Sequence, residues 1–202
     1  VTGIATPANL VFPVLFKHRI FAIEKNTMNL WYLPLDSIAG VAAVLPYGNI
    51  LKWGGSLISI ASWTLDAGDG SDDLLAAVSS EGQLAVYKGI DPSSASSWEL
   101  IGVWNVGKPV GRRCFQQLGG DTILLTENGV FPLSGILKTG AINFKSALSN
   151  KIQSAFTQIA QSVGITTEGW EACVYPQFDA LIVNIPAGAM TAATQFVMNT
   201  TT

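Results

Sequence analysis

His18 is the only histidine in the chain, so an imidazole-based catalytic device must use it, and a multi-histidine metal site is excluded. It directly precedes the apolar run 19–24, and no Gly-x-Ser-x-Gly elbow occurs anywhere, so a strand-edge or partly buried structural role is expected. Asp66, Asp69, Asp72 and Asp73 form the densest acidic cluster and superficially resemble a calcium loop. The alternating ligands and the Glu at the twelfth position of an EF-hand are missing, and Asp with Gly is what a tight turn between strands selects. Adding Glu81 or Glu99 gives carboxylates for glycoside cleavage, but no pair at a defined separation. Lys108, Arg112 and Arg113 lie in a loop without the Gly-x-x-x-x-Gly-Lys phosphate cradle, so the expectation is a salt bridge to a neighbouring chain or a solvated loop. Trp31, Tyr32, Trp53, Trp63, Trp98, Trp104 and Trp170 could stack on sugars or bases, but in a chain this poor in charge they read as sheet core and protein interface. Cys114 and Cys173 are far apart and outside any Cys-x-x-Cys pair, which reads as two buried thiols. No catalytic, metal or cofactor-binding residue is therefore assigned, and the chain is not expected to be an enzyme.

The elements that hold these residues are mainly strands. Short apolar runs recur in pairs around small polar turns: 19–24 with 28–33, 73–78 with 83–87, 121–126 with 130–133, and more weakly 179–183 with 195–198. Each pair is a hairpin signal, and Asn128-Gly129 supplies the conformational freedom a tight turn requires. Arg19, Asp73, Asp121 and Asp179 fall at equivalent places, separated by 54, 48 and 58 residues, close to the repeat length of propeller blades. Further strand candidates at 57–65 and 98–106 would bring a unit up to four strands. The expected fold is mainly β, of antiparallel blade-like sheets forming a β-propeller, complete or partial.

One segment breaks this rhythm. Leu148, Ile152, Phe156, Ile159 and Val163 are spaced by four, four, three and four, a single stripe that predicts a helix over 143–163, stopped by Gly164. The organisation read from sequence is thus blade-like units over 1–142, the inserted helix over 143–163, and further strands over 164–202 in the same domain. With no initiating Met and an end just after a strand, the chain is expected to continue beyond residue 202.

Charge and hydropathy narrow the partners. Charged residues make up 12% of the 202 residues, against about 25% in an average soluble domain, while 49% are hydrophobic and mean hydropathy is +0.37. Disorder is excluded, and much of the surface is expected to be covered by partners. Eleven Lys and Arg against fourteen Asp and Glu leave no broad basic face, which argues against clamping nucleic acid. No apolar run reaches the length of about 18 to 20 residues that a membrane helix needs.

The stretch Trp63-Thr64-Leu65-Asp66-Ala67-Gly68-Asp69-Gly70-Ser71-Asp72-Asp73-Leu74, followed by Glu81-Gly82-Gln83-Leu84-Ala85-Val86-Tyr87-Lys88-Gly89 and Asp91-Pro92-Ser93, resembles a family of tailed-bacteriophage virion proteins. Residues 107–113, Glu127-Asn128-Gly129-Val130-Phe131-Pro132-Leu133-Ser134 and Phe196-Val197-Met198-Asn199-Thr200 are similar to that family as well. The resemblance covers residues 18–135 and the last few, through turn and strand motifs rather than catalytic ones. It implies a tail or head-to-tail structural component, akin to the propeller-bearing nozzle or DNA-stabilising proteins of short-tailed phages. The partners it implies are other copies in a ring, neighbouring tail or connector proteins, and DNA that passes without specific binding, in a virion. A glycan-binding propeller and a hydrolase are the competing classes.

Overall fold

The computed structural model describes residues 1–66, 71–140, 142–187 and 194–200, and in strand residues 65, 66, 71 and 72 only the backbone. It is mainly β: fourteen strands in four antiparallel sheets and two α-helices among the described residues. The strands are β1 (Leu10–Phe16), β2 (Arg19–Glu24), β3 (Asn29–Tyr32) and β4 (Ala43–Pro46); β5 (Leu57–Asp66), β6 (Ser71–Ser79), β7 (Gln83–Gly89) and β8 (Trp98–Asn105); β9 (Phe115–Leu118), β10 (Asp121–Thr126) and β11 (Gly129–Pro132); and β12 (Glu171–Tyr175), β13 (Ala180–Ile185) and β14 (Thr194–Asn199). The helices α1 (Leu133–Thr139) and α2 (Gln153–Val163) separate the last two groups. Within every sheet the spatial order is the chain order, so each is a meander of neighbouring hairpins. Two compact units result, Val1–Val103 and Trp104–Thr202.

All four hairpins expected from sequence are present, and the residues taken as equivalent mark the second strand of each sheet. Local chemistry explains the turns. The β1–β2 connection is the two-residue turn Lys17-His18, with φ of 45° and 61° as the twist of a two-residue hairpin demands. Between β2 and β3, the Thr27 hydroxyl donates to the Glu24 carbonyl and accepts from the Asn29 amide, both at 3.0 Å. At the start of β11, Gly129 has φ of 131°, and a Cβ there would collide with the Ser149 hydroxyl.

The first unit is a sandwich of two sheets, β1–β4 and β5–β8, whose facing side chains meet in an aromatic stack. Trp98 on β8 lies nearly parallel to Phe21 on β2, centroids 6.0 Å apart, and to Tyr87 on β7 at 5.3 Å. Phe16 closes on the edges of Phe21 and Trp98, Tyr47 packs edge-on against Tyr87, and Tyr32 lies 5.8 Å from Phe21. Ile23, Leu30, Leu51, Leu57, Ile60, Leu75, Ala77 and Ala85 fill the rest of this core.

The second unit holds β9–β11, β12–β14 and both helices, and here the helix expected over 143–163 is shorter than its stripe. Only Gln153–Val163 is α-helical, and residues before it form two 3₁₀ turns, Phe144–Ser146 and Asn150–Ile152. The physical reason is competition at the free edge of β11. The Leu148 amide donates to the Val130 carbonyl at 2.9 Å and the Ser149 hydroxyl accepts from the Val130 amide at 3.0 Å, so this backbone serves a sheet edge instead of a helix turn. Leu148 consequently leaves the buried stripe; Phe156 and Val163 remain buried in it, Ile159 is half-buried, and Ala160, outside the predicted stripe, is buried beside them. A second helix was not anticipated: Leu133, read as the end of a strand, opens α1. No side chain of the preceding residues caps it. The Asp121 carboxylate does so from the sheet, accepting from the Ser134 amide and, at 2.6 Å, from its hydroxyl.

Replacing Trp98 by Ala should lower unfolding free energy by about 3–5 kcal/mol, whereas Trp53→Ala, at an exposed loop position, should change it by less than about 0.5 kcal/mol. Urea titration followed by circular dichroism reads both. Equal effects would mean that the stack is not what joins the two sheets.

Candidate functional site

The residues with chemical potential lie mostly at strand ends. His18 stands at the tip of the β1–β2 turn, largely exposed and not at a strand edge or partly buried as expected, with Nδ1 3.2 Å from the equally exposed Asp36 carboxylate. The two-residue turn explains this, because a side chain at its apex points away from both strands. The Asp36 amide also donates to the His18 carbonyl, so this pair latches a loop onto the turn.

Beside it, Lys17 Nζ lies 2.6 Å from Asp73 Oδ2, and Asp73 Oδ1 accepts from the Thr64 hydroxyl at 2.9 Å. Lys17 and then Thr64 hold the Asp73 carboxyl below the usual carboxylate range, against the opposing pull of partial burial. The contact pins the first sheet's hairpin to the second sheet. Of the other members of the acidic cluster, Asp69 lies outside the described residues, as do the side chains of Asp66 and Asp72. Among the described residues no three His, Cys, Asp or Glu side chains gather into a metal-binding group.

Arg19 is the most enclosed basic group of this end. One guanidinium nitrogen lies 3.3 Å from Asp91 and another donates to the Leu33 carbonyl at 3.4 Å, while the guanidinium carbon sits 5.9 Å above the Tyr32 ring. Its Nε is buried without a hydrogen-bond partner. Asp91 is held below its ordinary range, chiefly by the Ser93 hydroxyl and amide and also by Arg19.

On the opposite face of the first sheet from the aromatic stack, a cleft of about 210 Å³ opens. Leu10, Pro13, Ile20, Ala22 and Trp31 form its floor, and Leu33, Ile38 and Ala42 come from the loop between β3 and β4. That loop is tied to the first residues of the chain by a parallel bridge between Thr2 and Val41. Trp31 is fixed by its indole N–H, which donates to Glu24 Oε2 at 3.0 Å, and Asn29 donates to the same oxygen at 2.9 Å. These two donors, Asn29 first, hold the Glu24 carboxyl below its usual range. The cleft is apolar and half-open, with Ile38 at its rim 87% exposed. It suits contact with apolar groups and offers no acid–base pair.

The remaining expectations divide. Trp63, Trp98 and Trp170 are buried, as read from sequence, and Trp53 is exposed. Arg113 does not wait for another chain: it pairs with Glu171 of its own unit at 2.9 Å, beside a parallel backbone bridge between the same residues, while Arg112 has one guanidinium nitrogen buried without a partner. Cys114 is buried, but Cys173 is exposed, contrary to the reading of two buried thiols. Its place on β12 puts it on the face turned away from α2, in register with Ile182 and Val197. The outer-face cleft was missed in sequence. The only signal for it was that Leu10, Ile20, Ala22 and Trp31 alternate with core residues and are themselves apolar. No protein-family model and no curated protein matches this chain.

Asp73→Asn should destabilise the first unit at neutral pH, and the gap to wild type should close in acid. A carboxyl lowered by folding adds stability that is present above its unfolded value, about 3.9, and is lost as pH falls through the lowered folded value. Thermal melts between pH 2 and 7 would read this as curves converging below about pH 4. Parallel curves would assign the effect to packing alone.

Proposed function

We propose that the chain is an architectural subunit of a tailed-phage virion, a partial β-propeller that contributes to a ring around the DNA passage and carries out no catalysis. The observation that carries this reading is the apolar surface left open on two sheet faces. On the first sheet these are Leu15 and Val44, with Ile38 and Val41 on the loop between β3 and β4; on the fourth they are Tyr175 and Val197, with Phe178 on the turn between β12 and β13. In a propeller such faces are covered by the next blade, and exposed apolar surface of this kind favours association. Four successive meanders with regularly spaced second strands support the same reading, as does the sequence resemblance to virion proteins. The net charge of −3 agrees with a wall that lets DNA slide past without gripping its phosphates.

The test is to locate the protein. Mass spectrometry of purified particles from infected cells should find it at a fixed copy number, and electron microscopy should place it in a ring at the tail or the connector. The isolated chain should leave duplex DNA unretarded at physiological salt. Absence from particles would overturn the reading, and glycan-array binding lost in Trp53→Ala would move the chain to the glycan-binding class.

A further inference from the structure

Trp53 is 56% exposed and, among the described residues, is the one exposed aromatic side chain of the first unit. Its loop is pinned to the turn between β6 and β7. The Trp53 amide donates to Oε1 of the buried Gln83 at 2.8 Å, the Ser56 amide donates to the Ser80 hydroxyl at 3.1 Å, and the Ser80 amide donates to the Ser56 carbonyl at 2.8 Å. Between these ties Gly54 and Gly55 take φ of 76° and 87°, and a Cβ on Gly55 would collide with the Ser80 hydroxyl. A fixed backbone thus holds a large apolar side chain out in solvent. Little ordering is left to lose on contact, the condition under which a tryptophan anchors an interface.

The cleft over Trp31 is the matching hole. Its volume of about 210 Å³ lies below the roughly 300–1,000 Å³ of small-molecule pockets and suits one large side chain. The floor of Leu10, Pro13, Ile20, Ala22 and Trp31 is apolar, and its one polar side-chain group, the Trp31 N–H, is already taken by Glu24. An apolar occupant therefore leaves no polar partner unpaired, and at the half-open mouth an entering indole keeps its N–H in reach of water. Trp53 does not line the cleft of its own chain. Charges at the two margins are complementary as well: exposed Lys52 and, next to Gly55, Glu81 flank the indole, while Glu24 and Lys25 lie at one end of the cleft and Asp36 with His18 at the other.

We propose that Trp53 of one copy inserts into the cleft over Trp31 of the next, joining the first units of successive copies head to tail. Knob and cleft are different surfaces, so the contact is heterologous, and each copy that uses its knob still has a cleft to offer. Contacts of this kind run on into a ring where the rotation closes. The inference rests on the ring reading above and names the surfaces that would join the copies.

One buried indole removes about 150–250 Å² of its own surface from water, little beside a standard interface of roughly 1,200–2,000 Å², so a single contact should be weak. Sedimentation velocity of the wild-type chain over a concentration series should show mass rising past two copies. Trp53→Ala, which removes the knob, and Ala22→Phe, which fills the floor of the cleft, should each remain a single chain. Ile38→Glu, at the 87% exposed rim, is a second cleft variant that leaves the core untouched, and circular dichroism checks the fold of all three. An equimolar mixture of Trp53→Ala with either cleft variant should recover a species of two chains and nothing larger, because one copy brings only the cleft and the other only the knob. A wild-type chain that stays single at its highest soluble concentration, association that survives Trp53→Ala or Ile38→Glu, or a mixture that stays single while wild type associates would overturn the proposal. A ring in particles whose copies meet through other surfaces would remove only this contact, whereas Trp53-dependent association of a chain absent from particles would remove only the virion reading.

Discussion

The first unit depends on one interaction, the enclosure of Trp98 between Phe21 and Tyr87. Phe21 belongs to the first sheet and Tyr87 and Trp98 to the second, so the stack fixes the spacing and the facing of two sheets that are not hydrogen-bonded to each other. An aromatic ring buries about 150–250 Å² and adds a preferred stacking geometry. In a chain with 12% charged residues there is little else to orient one sheet on another. Once the stack is in place, Phe16, Tyr32 and Tyr47 have ring neighbours to pack against, and the aliphatic residues fill the space between.

The few charges are placed where the strands cannot speak for themselves, at turns and ends. Lys17 with Asp73 joins a hairpin tip of the first sheet to the second, Arg19 reaches Asp91 and the Leu33 carbonyl, and Arg113 meets Glu171 where β12 begins. Asp121 performs the same service for α1 through hydrogen bonds to Ser134. Each is a point where backbone groups or loop ends need a partner that a meander does not provide.

Surfaces follow from the same economy. A meander buries one face of its sheet readily, and the outer faces of the first and fourth sheets remain apolar, with a shallow cleft over Trp31 on one and the row Cys173, Ile182 and Val197 on the other.

Much of the strand arrangement was legible in the sequence, since period-two alternation around turn residues is a local property: all four hairpins, the strands β5 and β8, and the burial of Trp63, Trp98 and Trp170 were visible there. The shortened α2 was not, because the stripe at Leu148 and Ile152 fits a helix equally well, and only the free edge of β11 competes for that backbone. Nor was α1, whose cap comes from Asp121, thirteen residues earlier. The solvent exposure of Cys173 and of the cleft over Trp31 depends on which of two apolar sheet faces receives a layer. By itself the sequence determined a mainly antiparallel β chain; the tertiary structure alone decided which faces stay uncovered, because alternation sorts residues onto two faces but does not say which of them another element will cover.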